Sequence, residues 1–155
     1  MELRSYQSEA VWAAYAALLQ NKNPVLQLAT GTGKSLIIAE LAKLYAQEGK
    51  RVWILTHVQQ LVKQNSATFK KYTGQDAGII CAGLNRKDTQ ELITFATIQS
   101  ITGLLGEMEH PDLIIIDEAH RVPHNHGEPT LYENILRRFK KCSRVAMTAT
   151  PWRMD

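Results

Sequence analysis

Cysteine is scarce in this chain. Cys81 and Cys142 are the only two, both in apolar contexts, so a disulfide framework is excluded and two buried thiols of a reducing compartment are predicted. No apolar run approaches the ~20 residues that a membrane span requires. The N-terminus also lacks the pattern of a secretory signal. Together these absences predict a soluble, cytoplasmic protein with no membrane partner. Excess charge is small as well: 18 Lys and Arg against 15 Asp and Glu leave +3, too little to argue for nucleic acid from composition. Repeats, low-complexity tracts and linkers are missing. With 45% hydrophobic and 21% charged residues, the composition excludes disorder, and 155 residues suffice for one sizeable core.

Against that plain background, one stretch carries chemistry. Ala29-Thr30-Gly31-Thr32-Gly33-Lys34-Ser35 follows the apolar run Val25 to Leu28 and opens a segment of helical periodicity. Gly31 and Gly33 permit a turn tight enough for successive N–H groups to face a bound oxyanion. The positive end of the following helix adds to the same spot. Lys34 supplies a cation for outer phosphates and Ser35 a hydroxyl for Mg²⁺, as in a P-loop. The strict P-loop pattern has Gly where this chain has Leu28.

Periodicity lays out the remainder. Ser5 is a candidate N-cap for a helix with Val11, Tyr15, Leu18 and Leu19 on one face, ended by Asn21 to Pro24. Ile37, Leu41 and Leu44 stripe the helix after the P-loop, with Gly49 at its end. Arg51 to Thr56 reads as a strand, and Val58, Leu61, Val62 and Phe69 stripe a helix ending near Gly74. Ala77 to Ala82 is a short strand, Gly83 to Gln90 a polar loop, and Leu92 to Thr97 another strand. Ile98 to Leu105 is a short helix, and Leu113 to Ile116 the most apolar strand. After a Pro/His/Gly loop (Arg121 to Pro129), Leu131, Ile135, Leu136 and Phe139 mark a last helix, and Arg144 to Thr148 a sixth strand. Continuously apolar strands alternating with helices predict one doubly wound α/β domain, a mostly parallel sheet with helices on both faces.

Such sheets bind ligands at the carboxyl ends of their strands. Polar residues gather there each time: the P-loop, Thr56-His57, Thr97 with Gln99-Ser100, Asp117-Glu118-Ala119-His120, and Thr148-Ala149-Thr150. Phosphoryl transfer from a nucleotide needs positioning and charge neutralisation. Asp117, after four apolar residues, suits a Mg²⁺ site, and Glu118 suits orienting or deprotonating a water.

Asp117-Glu118-Ala119-His120 resembles motif II of superfamily 2 helicases and translocases, and Thr148-Ala149-Thr150-Pro151 resembles their motif III. Leu28 to Ser35 is similar to their variant motif I, in which the first Gly is commonly replaced. Val52 to Asn65 resembles motif Ia, Phe95 to Ser100 motif Ic, and Leu3-Arg4-Ser5-Tyr6-Gln7 the Q-motif equivalent. The nearest flavour is that of RadD-like DNA-repair helicases and restriction-enzyme motor subunits.

This resemblance implies a RecA-like ATP-binding domain spanning residues 1–155, with ATP and Mg²⁺ as cofactors and nucleic acid, DNA before RNA, as partner. ATP contacts fall to Arg4, Gln7, Thr30, Gly31, Thr32, Gly33, Lys34 and Ser35. Gln7 matches the donor–acceptor edge of adenine, and Arg4 or Tyr6 is placed to stack on the base. Ser35 and Asp117 share the metal, and Lys34, Asp117, Glu118 and His120 serve catalysis. Thr148 and Thr150 couple nucleotide state to the strand path. Thr56, His57, Gln64, Thr97, Gln99 and Ser100 contact the nucleic-acid backbone, where tracking needs no base reading.

The basic clusters Arg86-Lys87 and Arg137-Arg138-x-Lys140-Lys141 read first as solvated faces. His120, His124 and His126, without Cys neighbours, do not read as a zinc site. The second RecA-like domain that would supply a transition-state arginine is expected to be absent from these residues. A stand-alone, non-hydrolysing nucleotide- or nucleic-acid-binding module that regulates a motor stays open as the alternative.

Overall fold

A computed structural model describes residues 1–28, 33–117 and 130–148. The sequence elements that bury most completely make the centre. Val52–Thr56 (β2), Ile93–Thr97 (β5) and Leu113–Asp117 (β6) are buried at every position. Runs that are apolar on both faces can only be satisfied between two layers of helix. Gly78–Cys81 (β3), Val25–Gln27 (β1), Ser143–Thr148 (β7) and Arg86–Lys87 (β4) complete the sheet in the order β1-β7-β6-β2-β5-β3-β4. All neighbours are parallel except β3 and β4, where Ile80 faces Lys87 and Cys81 faces Arg86.

Alternate side chains go to opposite layers. Val52, Ile54, Leu113, Ile115 and Phe95 join one apolar cluster with Ser5–Leu19 (α1), Lys34–Gln47 (α2) and Gln59–Thr73 (α3). Trp53, Leu55, Ile114 and Ile116 join the other, beneath Ile98–Thr102 (α4) and Leu131–Arg138 (α5). There Trp53 meets Phe139 edge-on, ring centroids 5.1 Å apart. This is the doubly wound α/β domain that the strand pattern predicts. Among the described residues no helix is long and apolar enough to cross a membrane.

Several local expectations are corrected. Arg4, not Ser5, is the N-cap of α1; its N–H donates to the side-chain Oε1 of Gln7 at 2.8 Å. The buried stripe of α1 is Gln7, Val11, Ala14 and Leu18, and Leu19, about a quarter-turn further round, is 68% exposed. Of the apolar residues expected to stripe α5, Leu131 is exposed, while Tyr132 turns inward. The polar loop at 83–90 contains a 3₁₀ turn (Ala82–Leu84, beginning one residue earlier) and β4, an added antiparallel edge strand. The helix expected at 98–105 stops at Thr102, and a separate 3₁₀ turn spans Leu105–Glu107. Cys81 and Cys142 are free thiols, the first buried and the second partly so.

Candidate nucleotide site

The parallel strands deliver their last residues to one end of the sheet. Thr56, Thr97, Asp117 and Thr148 terminate β2, β5, β6 and β7, and all four are buried. Beyond β1, the Leu28 N–H donates to the Thr148 carbonyl at 2.9 Å, which ties the end of β1 against β7. Thr30, Gly31 and Thr32 lie outside the described residues, as do Glu118, His120 and Thr150. Gly33 is left-handed (φ 75°) and caps α2, so Lys34 and Ser35 stand in the first helical turn. Glycine adopts that left-handed conformation without the strain a side chain would bring.

Lys34 points directly at β6, and Ser35 is linked to it through Asn65 of α3. Lys34 Nζ stands 3.0 Å from Asp117 Oδ1, with the Asp117 side chain 1% exposed. The pairing is one of charge and distance, since Oδ1 receives no hydrogen bond among the described residues. On the other carboxylate oxygen, Asn65 Nδ2 donates to Asp117 Oδ2 at 2.8 Å. Asn65 Oδ1 in turn accepts the Ser35 hydroxyl at 2.6 Å. Carboxylate and hydroxyl oxygens are hard donors of the kind Mg²⁺ takes, one or two from protein with water and phosphate completing the shell. The Asp117–Ser35 pair therefore fits that ion.

Asn65 is the residue that motif spacing did not assign. It sits on α3 between Val62 and Phe69, on the buried side of the helix. An amide in an otherwise apolar stripe at i, i+3, i+7 is the one sequence signal that pointed to it.

Gln7 reaches the site from α1. Its side chain is 4% exposed, and Nε2 donates to the Gly33 carbonyl at 3.4 Å. The amide thus braces the end of the phosphate turn as well as capping α1. Arg4 and Tyr6 are exposed beside it.

The six residues assigned to nucleic acid are not alike. Thr56 Oγ1 accepts the Val58 N–H at 3.3 Å and is buried, a turn at the start of α3. Thr97 Oγ1 donates to Ser100 Oγ at 2.8 Å, and Ser100 Oγ also accepts the Ala82 N–H at 2.9 Å. Those hydroxyls knit β5, α4 and the turn after β3. His57 lies edge-on to Tyr132, centroids 6.4 Å apart. Gln99 is exposed. Gln64 is also exposed, yet its Nε2 lies 3.5 Å from Ser35 Oγ, on the nucleotide side.

A mostly parallel sheet covered by helices on both faces, with a buried aspartate ending a central strand, defines a RecA-like domain. The family model for "Type III restriction enzyme, res subunit" matches residues 1–153, and the chain belongs to that family. Its fold is shared with solved helicase domains. A 51.5 kDa protein of a Lactococcus phage is 32% identical over 131 residues, 84% of this chain and 25% of that one. Mouse ATP-dependent RNA helicase DHX58 is 31% identical over 160 residues, 90% of this chain and 22% of that one. The chain therefore spans about a quarter or less of these relatives. The Hef helicase domain of Pyrococcus furiosus superposes with a TM-score of 0.75 at 25% identity, covering 96% of this chain and 33% of that one. The SWI2/SNF2 ATPase core of Sulfolobus solfataricus, solved with double-stranded DNA, gives 0.72 at 18% identity, covering 97% and 32%, a likeness of fold.

Proposed function

We propose that this chain binds Mg·ATP at the carboxyl end of its sheet and serves as the first RecA-like domain of a nucleic-acid motor, with DNA the favoured track. The observation that carries the reading is the convergence of Lys34, Ser35 and Asp117 on one buried point. Lys34 and Gly33 suit the phosphates, Ser35 and Asp117 the magnesium ion, and Gln7 the end of the phosphate turn beside the base. When bound, Mg²⁺ neutralises phosphate charge as the bond to the outer phosphoryl group breaks. Lys34 Nζ, 3.0 Å from Asp117 Oδ1, holds a cation beside the buried carboxylate. Glu118, next along the chain, is the proposed base for the attacking water, with His120, Thr148 and Thr150 passing nucleotide state to the strand path.

A second RecA-like domain would close the other wall and bring an arginine, a contribution of about 10³–10⁵ in rate for arginine fingers generally. The restriction-enzyme family supports DNA as the track. So does a neighbour of the same fold solved on double-stranded DNA, while a 31%-identical relative is named an RNA helicase. Of the six side chains assigned to nucleic acid, Gln64 and Gln99 are exposed and His57 and Ser100 partly so, and a cytoplasmic location accords with free thiols. The test is fluorescent-nucleotide binding with Mg²⁺, followed by ATP hydrolysis with single-stranded DNA, duplex DNA and RNA. Wild type should bind nucleotide while Lys34→Ala does not, and turnover by these residues alone should be slow. A fast, nucleic-acid-stimulated rate from them alone would contradict the need for a second wall. Absence of nucleotide binding would sink the reading altogether.

A further inference from the structure

Asn65 is 2% exposed, in the middle of the apolar side of α3. A buried amide is costly unless both its ends are hydrogen-bonded. Here each end has a partner, and the partners are the two residues to which the proposed function gives the magnesium ion. The Ser35 hydroxyl donates to Oδ1 at 2.6 Å, and Nδ2 donates to Asp117 Oδ2 at 2.8 Å.

We infer that Asn65 is a positioning residue that sets Ser35 and Asp117 as a matched pair of oxygen donors for the cation of Mg·nucleotide. The reasoning rests on the nucleotide reading above and follows from where protons sit. A serine hydroxyl has one proton and two lone pairs. With the proton committed to Asn65 Oδ1, the lone pairs of Oγ are left for a cation. A carboxylate rotates about its Cβ–Cγ bond unless one oxygen is held. Asn65 holds Oδ2, which leaves Oδ1 turned to Lys34 at 3.0 Å. One side chain thereby fixes two rotors that come from α2 and β6, and amide chemistry is required, because one end must accept and the other donate. A carboxylate at this position would accept from Ser35 but face Asp117 with a second negative charge. A leucine would fill the space and orient neither. Gln64, on the same helix, adds a weaker donor to Ser35 Oγ at 3.5 Å.

The experiment is equilibrium binding of N-methylanthraniloyl-ADP, read by fluorescence, across a Mg²⁺ titration and in EDTA. It uses wild type, Asn65→Leu and Asn65→Asp, each held well below its melting temperature. In EDTA the affinity of both variants should stay within about twofold of wild type. The Mg²⁺ concentration for half-maximal gain should rise tenfold or more in both variants, while near-UV circular dichroism keeps its native form. A folded variant with the wild-type Mg²⁺ midpoint overturns the inference, as does unfolding of both variants, which would make Asn65 a structural residue only. If wild type itself binds no nucleotide, the failure belongs to the proposed function instead.

Discussion

Charges at Lys34 and Asp117 stabilise each other only as a pair. Removing the cation leaves a carboxylate that is 1% exposed without its ionic partner. Lys34→Ala should cost about 2 kcal/mol, less than a fully dry pair because Lys34 keeps 16% of its side chain exposed. Adding Asp117→Asn should return more than half of that loss in urea unfolding; purely additive losses would show that the two do not interact. Gly33→Ala is a second residue-scale case. Its φ of 75° is strained for any L side chain, and a Cβ there would lie 2.3 Å from Gln7 Nε2. A loss of roughly 1–3 kcal/mol follows, visible as a lowered Tm. A variant as stable as wild type would mean that the turn has another conformation. At this scale the legible residues were those whose type and spacing are dictated by phosphate chemistry: Gly33, Lys34, Ser35 and Asp117. Asn65 was not legible because one polar residue in a helix has no spacing partner in sequence. Its partners are 30 and 52 residues away.

Elements differ in how far their sequence betrays them. Central β2, β5 and β6 were plain because parallel strands covered on both sides must be apolar throughout. The edge strand β4 was hidden. It is Arg86-Lys87, exposed, with no apolar pattern, and it exists because Cys81 and Ile80 offer their ladder and Asp88 binds the Arg86 guanidinium. The helix after β5 was overrun for a similar reason: apolar spacing continues to Leu105, but the Leu104 N–H already closes a turn onto Ile101 at 2.9 Å. The element that should matter most to stability is β2, with Trp53 fully buried against Phe139. Trp53→Ala should cost about 3–5 kcal/mol in urea unfolding, the range for aromatic truncation in a core. Its loss should also flatten the near-UV circular dichroism. A cost below about 1 kcal/mol would be incompatible with a tightly packed lower layer.

At the scale of the whole molecule, buried hydroxyls and a buried thiol tie stability to alkaline pH. Burial pushes the Cys142 thiol from 9.0 to about 12 and the Tyr45 hydroxyl from 10.0 to about 12. Burial, helped by the hydrogen bond to Glu40, takes Tyr72 from 10.0 to about 12. In each case the folded chain keeps a proton that the unfolded chain gives up first. Stability from these groups is therefore complete below pH 9 and drains away as pH climbs toward 12. Melting temperature should hold steady from pH 7 to 8.5 and fall progressively above 9. A flat profile to pH 11 would mean that these hydroxyls and the thiol are solvated.

The sheet's two ends are the last feature with a consequence. One edge is β1, of three residues, and the other is β4, of two, both cationic. Unpaired strand edges are templates on which other chains nucleate, and short or charged edges blunt that tendency. Among the described residues, the apolar parallel sheet thus presents little unpaired ladder at its edges. It should tolerate crowding and high concentration without forming the intermolecular β-structure that its central strands, if exposed, would readily seed.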